Sequence, residues 1–407
     1  MASEDVKPKK LIVHVAEEDI ADLKQRLNKT RWPDELEGVD WDYGVPKAYI
    51  KELAHYWETS FDWRQAESMI NTFANYEMDV NGIALHFVHE RSSDPNAIPL
   101  IFSHGWPGSF IEAFKIIKKL TNPGENGGKK QAFHVVVPSL PGYSFSSSPT
   151  QRGFGVSEIA KTFNELMLKL GYSTYVAQGG DWGAAISSAL GGIYPQHCRA
   201  IHINLCFAQP SYTNPWHVAQ LLNARLPIAN WFPLTISYEE MTNLDEAMKW
   251  RIHETGYSGI HSTKPQTLSY ALTDSPVGLL AWIVEKFRAW SDCGGDVESR
   301  FTKDELLTNV AIYWFNKNIV GSMRLYYESM GPNAIASQSA VRLSQKIRVP
   351  TAVANFPREL FRAPKAWAAS RYNLKQWSKF QKGGHFAAME EPELLAEDII
   401  KFFSKHH

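Results

Sequence analysis

Three short stretches of this chain combine residue types that can make and break bonds. In QGGDWGA (178–184), Asp181 lies between Gly179 and Gly183, after the apolar run TYVA and before the small-residue run AAISSALGGIY. Small residues two positions before and two after a nucleophile let a strand and a helix approach closely while the central residue takes a strained backbone. A carboxylate suits such a place, because it is ionised at neutral pH and needs no base to activate it. The plainer reading of the same letters is a Gly-rich turn whose aspartate caps a helix.

The second stretch is FSHGWPG (102–108), at the end of an earlier apolar run. Together with a turn like 178–184 it fits the α/β-hydrolase architecture, where the loop after that strand gives one backbone N–H of an oxyanion hole and the residue after the nucleophile gives the other. Trp106 and Trp182 are then the backbone donors, and Pro107, which has no N–H, fixes the loop. The third stretch is KGGHF (382–386). A lone histidine among 14 is a poor candidate for catalysis, but His385 lies where the chain order nucleophile, acid, histidine places the base. Glu359, in NFPRE (355–359), follows an apolar strand and is placed to hold the imidazole by its other nitrogen. Asp304 and Glu328 are the rival acids.

These residues need a scaffold, and the hydrophobic pattern supplies one. Residues 1–75 read as an amphipathic helical meander, with Ile20, Leu23, Leu27 and later Ile50, Leu53, Trp57 at helical spacing. Its tryptophans Trp32, Trp41, Trp57 and Trp63 read as packing anchors. Two alternating runs around Asn81-Gly82 predict a hairpin, since both turn positions favour positive φ. Apolar strands at 99–105, 133–142, 174–180 and 199–206 alternate with helical segments, which indicates a mostly parallel central sheet covered on both faces. The rhythm stops at 208–335, which is helical and aromatic, and resumes at 348–356 and around 376–380. The expected organisation is therefore a meander (1–75), a first core part (76–207), a helical lid (208–335) and a second core part (336–407).

Composition excludes more than it selects. Lys plus Arg (42) nearly balances Asp plus Glu (43), so bulk charge gives no case for nucleic acid or an anionic membrane. The 14 Trp, 16 Tyr and 21 Phe suit a deep apolar pocket and also a large ordinary core. Three cysteines (Cys198, Cys206, Cys293) form no metal spacing and no disulfide framework, which favours a reducing, cytoplasmic setting. No run approaches the ~20 apolar residues of a membrane span.

The set FSHGWPGSF, GGDWGA, GYSGIHSTKPQT, TDSPVGLLAWIVEKF, YYES, NFPRELF and GGHFAAMEEPELL resembles the microsomal-type epoxide hydrolases, a branch of the α/β-hydrolase family, along essentially the whole chain. Mammalian members begin with a membrane anchor; none is expected here, where the chain is similar to soluble microbial members. The resemblance implies hydrolysis of an apolar epoxide to a vicinal diol through an aspartyl ester. It assigns the nucleophile to Asp181, the base to His385, its supporting acid to Glu359 and the two epoxide-holding lid tyrosines to Tyr257 and Tyr327, the last preferred over Tyr326. It implies no cofactor and no metal, a small apolar epoxide and water as partners, and is compatible with a homodimer. A haloalkane dehalogenase would use the same Asp, and a non-catalytic ligand-binding protein of this fold is the rival from another class.

Overall fold

The computed structural model describes residues 7–124, 130–210, 236–332, 334 and 346–407. Its centre is a nine-stranded sheet in the order β1-β2-β3-β5-β4-β6-β7-β8-β9. The strands are β1 (Lys9–Lys10), β2 (Asn75–Val80), β3 (Ile83–Glu90), β4 (Ile98–Ser103), β5 (Phe133–Pro138), β6 (Tyr175–Gly179), β7 (Cys198–Ile203), β8 (Ile347–Asn355) and β9 (Tyr372–Lys379). Pairing is antiparallel from β1 through β3 to β5 and parallel across the rest. The predicted hairpin is β2–β3: Asn81 and Gly82 take φ 57° and 77°, and Val80 pairs with Ile83 across them. The two-residue β1 was not predicted. It consists of two exposed lysines, which carry no strand pattern.

Burial explains why the parallel strands read as continuous apolar runs. Leu100, Ile101 and Phe102 of β4, Val135 to Val137 of β5 and Tyr175 to Ala177 of β6 are all buried, because helices cover both faces. The covering helices include α4 (Phe114–Thr121), α5 (Val156–Lys169) and α6 (Asp181–Ile193), and near the end of the chain α13 (Lys365–Arg371), α14 (Ala387–Glu390) and α15 (Pro392–Phe403). In α5 the buried Val156, Ile159, Ala160, Phe163, Leu166 and Met167 recur at the three- and four-residue spacing of one helix face.

The chain leaves β4 for β5 on one side and later passes from β5 to β6 on the other, so β4 marks the point where the strand order reverses. In open α/β sheets a crevice forms there, beyond the carboxyl ends of the strands. That places the ends of β4 and β6, and thus residues 103–108 and 179–183, beside one another.

Between β7 and β8 in sequence lie α7 (Tyr238–Glu254), α8 (Gly256–Thr263), α9 (Pro265–Asp274), α10 (Pro276–Trp290), α11 (Lys303–Asn316) and α12 (Ile319–Met330). Within the expected lid (208–335), residues 211–235, 333 and 335 lie outside the described residues. So do 336–345 of the second core part. Helices α8 and α9 pack on α12, and α10 packs on α11. A capping box between Thr302 and Glu305 starts α11. The early helices α1 (Glu17–Asn28), α2 (Lys47–Thr59) and α3 (Trp63–Asn71) pack on α10 and α11. Trp57 and Trp63 are buried there, while Trp32 and Trp41 are half-buried. No described helix is long and apolar enough to cross a membrane.

Candidate active site

Asp181 stands at the tight turn between β6 and α6 with φ at 47°, a left-handed conformation that costs a non-glycine residue about 1–3 kcal/mol. Neighbouring glycines make this geometry feasible. A Cβ on Gly183 would lie 1.8 Å from the Ser103 carbonyl oxygen at the end of β4, and one on Gly105 would lie 2.3 Å from Asp181 Oδ1. The loop after β4 therefore closes directly on the carboxylate.

Trp106 N–H donates to Asp181 Oδ1 at 2.9 Å. Trp182 follows Asp181 in the first turn of α6, so its N–H has no acceptor within its own helix. The Trp106–Pro107 peptide is cis. Helix α11 holds this loop from above: Asn309 Nδ2 donates to the Pro107 carbonyl at 2.8 Å, and the Tyr313 hydroxyl to the Gly108 carbonyl at 2.7 Å. Sequence reasoning missed both residues. They lie about 200 positions away and carry no motif of their own.

His385 sits in the loop after β9, its N–H bonded to the Trp290 carbonyl at the end of α10 at 2.9 Å. Its Nδ1 meets Glu359 Oε1 at 2.6 Å, and its Nε2 lies 3.3 Å from Asp181 Oδ2. Burial opposes a charge on this imidazole. The carboxylates of Glu359 and Asp181, through charge and hydrogen bonds, outweigh it and raise its pKa well above the ordinary value. Glu359, just beyond β8, also accepts from the Leu360 N–H at 2.7 Å. Among the three acids weighed from sequence it is Glu359 that reaches the histidine. Asp304 accepts from the Tyr56 hydroxyl at 3.0 Å, and Glu328 from the Gly153 N–H at 2.8 Å.

Over these groups lies an aromatic cluster from α8, α10 and α12. The buried Tyr257 stacks on Trp106, with centroids 4.9 Å apart and planes 9° from parallel. The second tyrosine is a correction to the sequence reading. Tyr326, not Tyr327, faces the site, its ring 4.8 Å from Trp182, 5.9 Å from Trp106 and 5.8 Å from Tyr257. Adjacent helical residues project roughly 100° apart. Tyr326 is buried in the cluster, while Tyr327 is half-buried.

Tyr257 and Tyr326 are within hydrogen-bonding reach of one another. Burial first, and then the Asp181 charge for Tyr257 and the Tyr257 and Asp181 groups for Tyr326, raise both phenols far above their ordinary pKa, so both stay protonated. His261, one turn after Tyr257, packs edge-on against Trp106 and Tyr326. Burial, helped by the Lys286 charge, pushes its pKa down to about 3, so it serves as a neutral ring. A carboxylate near two buried phenols, with an imidazole at its side, is equipped to attack a carbon whose oxygen leaves toward the phenols. No His, Cys, Asp and Glu grouping suited to a metal occurs among the described residues.

Comparison with known proteins finds relatives along nearly the whole chain. Residues 8–113 match the family described as "Epoxide hydrolase N terminus", and residues 98–224 match "alpha/beta hydrolase fold". Epoxide hydrolase 1 of Sus scrofa is 37% identical over 414 residues, covering 98% of this chain and 89% of its own. The crystal structure of juvenile hormone epoxide hydrolase from Bombyx mori superposes with a TM-score of 0.89 at 32% identity, covering 99% of this chain and 95% of that one. The Aspergillus niger epoxide hydrolase structure gives 0.84 at 29%, covering 99% and 98%.

Proposed function

The chain belongs to the microsomal-type epoxide hydrolases of α/β-hydrolase fold, and from that premise we propose that it opens an apolar epoxide through a covalent ester on Asp181 and clears the ester with water. The observation that carries this reading is the line from Glu359 through His385 to Asp181, with the buried Tyr257 and Tyr326 rings packed on Trp106 and Trp182 beside it.

In the first step the Asp181 carboxylate attacks a ring carbon and the carbon–oxygen bond of the strained ring breaks. The departing oxygen takes a proton from Tyr257 or Tyr326. A phenol suits this task because it stays protonated at neutral pH yet donates to a forming alkoxide. Esterification removes the Asp181 charge that had helped to raise the His385 pKa. The imidazolium can then return a proton to the phenolate, which leaves a neutral base.

In the second step His385 takes a proton from water, and the resulting hydroxide adds to the carboxyl carbon of Asp181. Trp106 and Trp182 N–H groups stabilise the oxyanion, each worth roughly 3–4 kcal/mol in comparable sites. On collapse the diol oxygen leaves with the His385 proton, and the free acid of Asp181 gives its own proton back to His385. Protons and charges then stand as they began. Glu359 orients the imidazole and balances its charge throughout. The helices between β7 and β8 act as the lid, and the aromatic walls they bring favour an apolar substrate. A cytoplasmic location is part of this reading and rests on the three free, buried cysteines.

Single turnover in labelled water tests the route. The diol of the first turnover should carry the unlabelled oxygen held on Asp181, and later diols the label; label in the first diol would exclude the ester. Styrene oxide is the first substrate to assay, and a haloalkane is the control. Chloride release without diol formation would favour the dehalogenase reading instead.

The lid tyrosines make a separate prediction. Changing Tyr257 and Tyr326 together to Phe is expected to lower ring opening by ~100-fold or more, since general acids typically supply 10²–10⁴-fold. Changing Tyr327 to Phe should leave it within about twofold of the parent, because this ring lies outside the cluster. Rapid-mixing measurement of ester formation separates the two variants.

A further inference from the structure

The structure holds an acid beside the reacting groups that the route above does not use. Glu112 lies in the short 3-10 turn Phe110–Ala113 that follows the oxyanion loop. Its carboxylate folds back beneath that loop: a Cβ on Gly108 would lie 1.6 Å from Glu112 Oε1, so a side chain at 108 would displace it. Glu112 lines a small cavity together with Gly105, Trp106, Asp181, Asn204 and His385. That cavity measures ≈ 10 Å³, about what the centre of one water molecule needs when two to four polar groups surround it.

We propose that Glu112 positions the hydrolytic water, its carboxyl oxygen accepting one hydrogen while His385 Nε2 takes the other. A water deprotonated by His385 has a second O–H that must point somewhere. Holding it limits how the water can turn and leaves a lone pair for the carboxyl carbon of Asp181, a residue that lines the same cavity. The ionisation of Glu112 fits the place. Burial raises its pKa and the Asp181 charge adds to this, while His385 and the Gly105 backbone oppose it, leaving it at about 8. It is therefore mostly neutral in the resting enzyme near pH 7, and a carboxylic acid keeps acceptor capacity beyond its bond with the Gly105 backbone. Behind His385 stands Glu390, itself raised to about 7 by burial and held by the Asp292 and Phe386 N–H groups.

The proposal rests on the two-step ester route and adds to it a role confined to the second step. The test is rapid-mixing kinetics with styrene oxide, following ester formation and ester loss by mass spectrometry in the parent, Glu112→Met and Glu112→Gln, with melting temperatures measured alongside. Glu112→Met should form ester within about threefold of the parent rate but lose it about tenfold more slowly or worse, the loss expected for one hydrogen bond. Glu112→Gln keeps an acceptor and should restore most of the hydrolysis rate at pH 7. It should also remove from the hydrolysis pH profile the inflection that belongs to Glu112.

Equal slowing of both phases, or unchanged ester loss in Glu112→Met, overturns the role. If Glu112→Met does not fold, the Glu112→Gln profile decides alone, and superposition on the parent profile overturns it. If the parent itself forms no ester, the two-step route falls, and the role of Glu112 falls with it.

Discussion

Replacing Asp181 by alanine is expected to lower diol formation by ~10⁴-fold or more, as loss of a nucleophile does elsewhere. No other carboxylate can substitute from its present place. Glu359 is turned toward His385 Nδ1 at 2.6 Å, and the Glu112 carboxylate is folded back against Gly108. The fold should survive, since alanine keeps the Cβ that faces Gly105 and loses only the acceptor for the Trp106 N–H and the partner of His385 Nε2. Initial rates with styrene oxide, read beside a thermal melt, check both parts. A folded variant with rates within about 100-fold of the parent would remove Asp181 from the nucleophile's role.

Changing His385 to glutamine should have the opposite signature: the first step proceeds and the second stalls. Epoxide consumption is expected to stop after about one equivalent per enzyme. The protein mass should rise by that of the epoxide, and ester hydrolysis should fall by ~10²–10⁴-fold, the usual contribution of a general base. The first step also loses the imidazolium that faces Asp181 Oδ2 at 3.3 Å and supplies the proton needed at the phenols, so some slowing of ester formation accompanies the block. Steady multiple turnover by this variant would contradict the role of His385 as the base. So would the absence of any mass increase under conditions where the parent turns over.

Much of this site is legible in the chain because its parts are local. The Asp181 turn needs small residues at fixed offsets, so Gly179 and Gly183 announce it, and Gly183 then meets Ser103 as that reading requires. Trp106 follows from the loop after β4 and His385 from its place after the last strand. The hairpin at Asn81-Gly82 and the parallel strands follow from turn chemistry and burial in the same way. None of these features asks more of the reader than a window of about ten residues and the order of the elements.

What the sequence could not decide are choices made by packing between distant segments. Tyr326 and Tyr327 are adjacent and chemically alike. Only the seating of α12 against α8 and Trp182 decides which ring enters the site, since one step along a helix turns a side chain by roughly 100°. Asn309 and Tyr313 hold the loop after β4 from a helix remote in the chain. Glu112 reads from sequence as an ordinary polar residue early in a helix, and only the fold of the loop over it brings its carboxyl into a cavity with Asp181 and His385. The sequence by itself determined the Asp181 turn, the place of His385 and the order of the elements that carry them, because turns and strands constrain residues close in the chain. Tertiary structure alone decided which side chains meet across that chain, because contact depends on helix rotation and closure that no local pattern specifies.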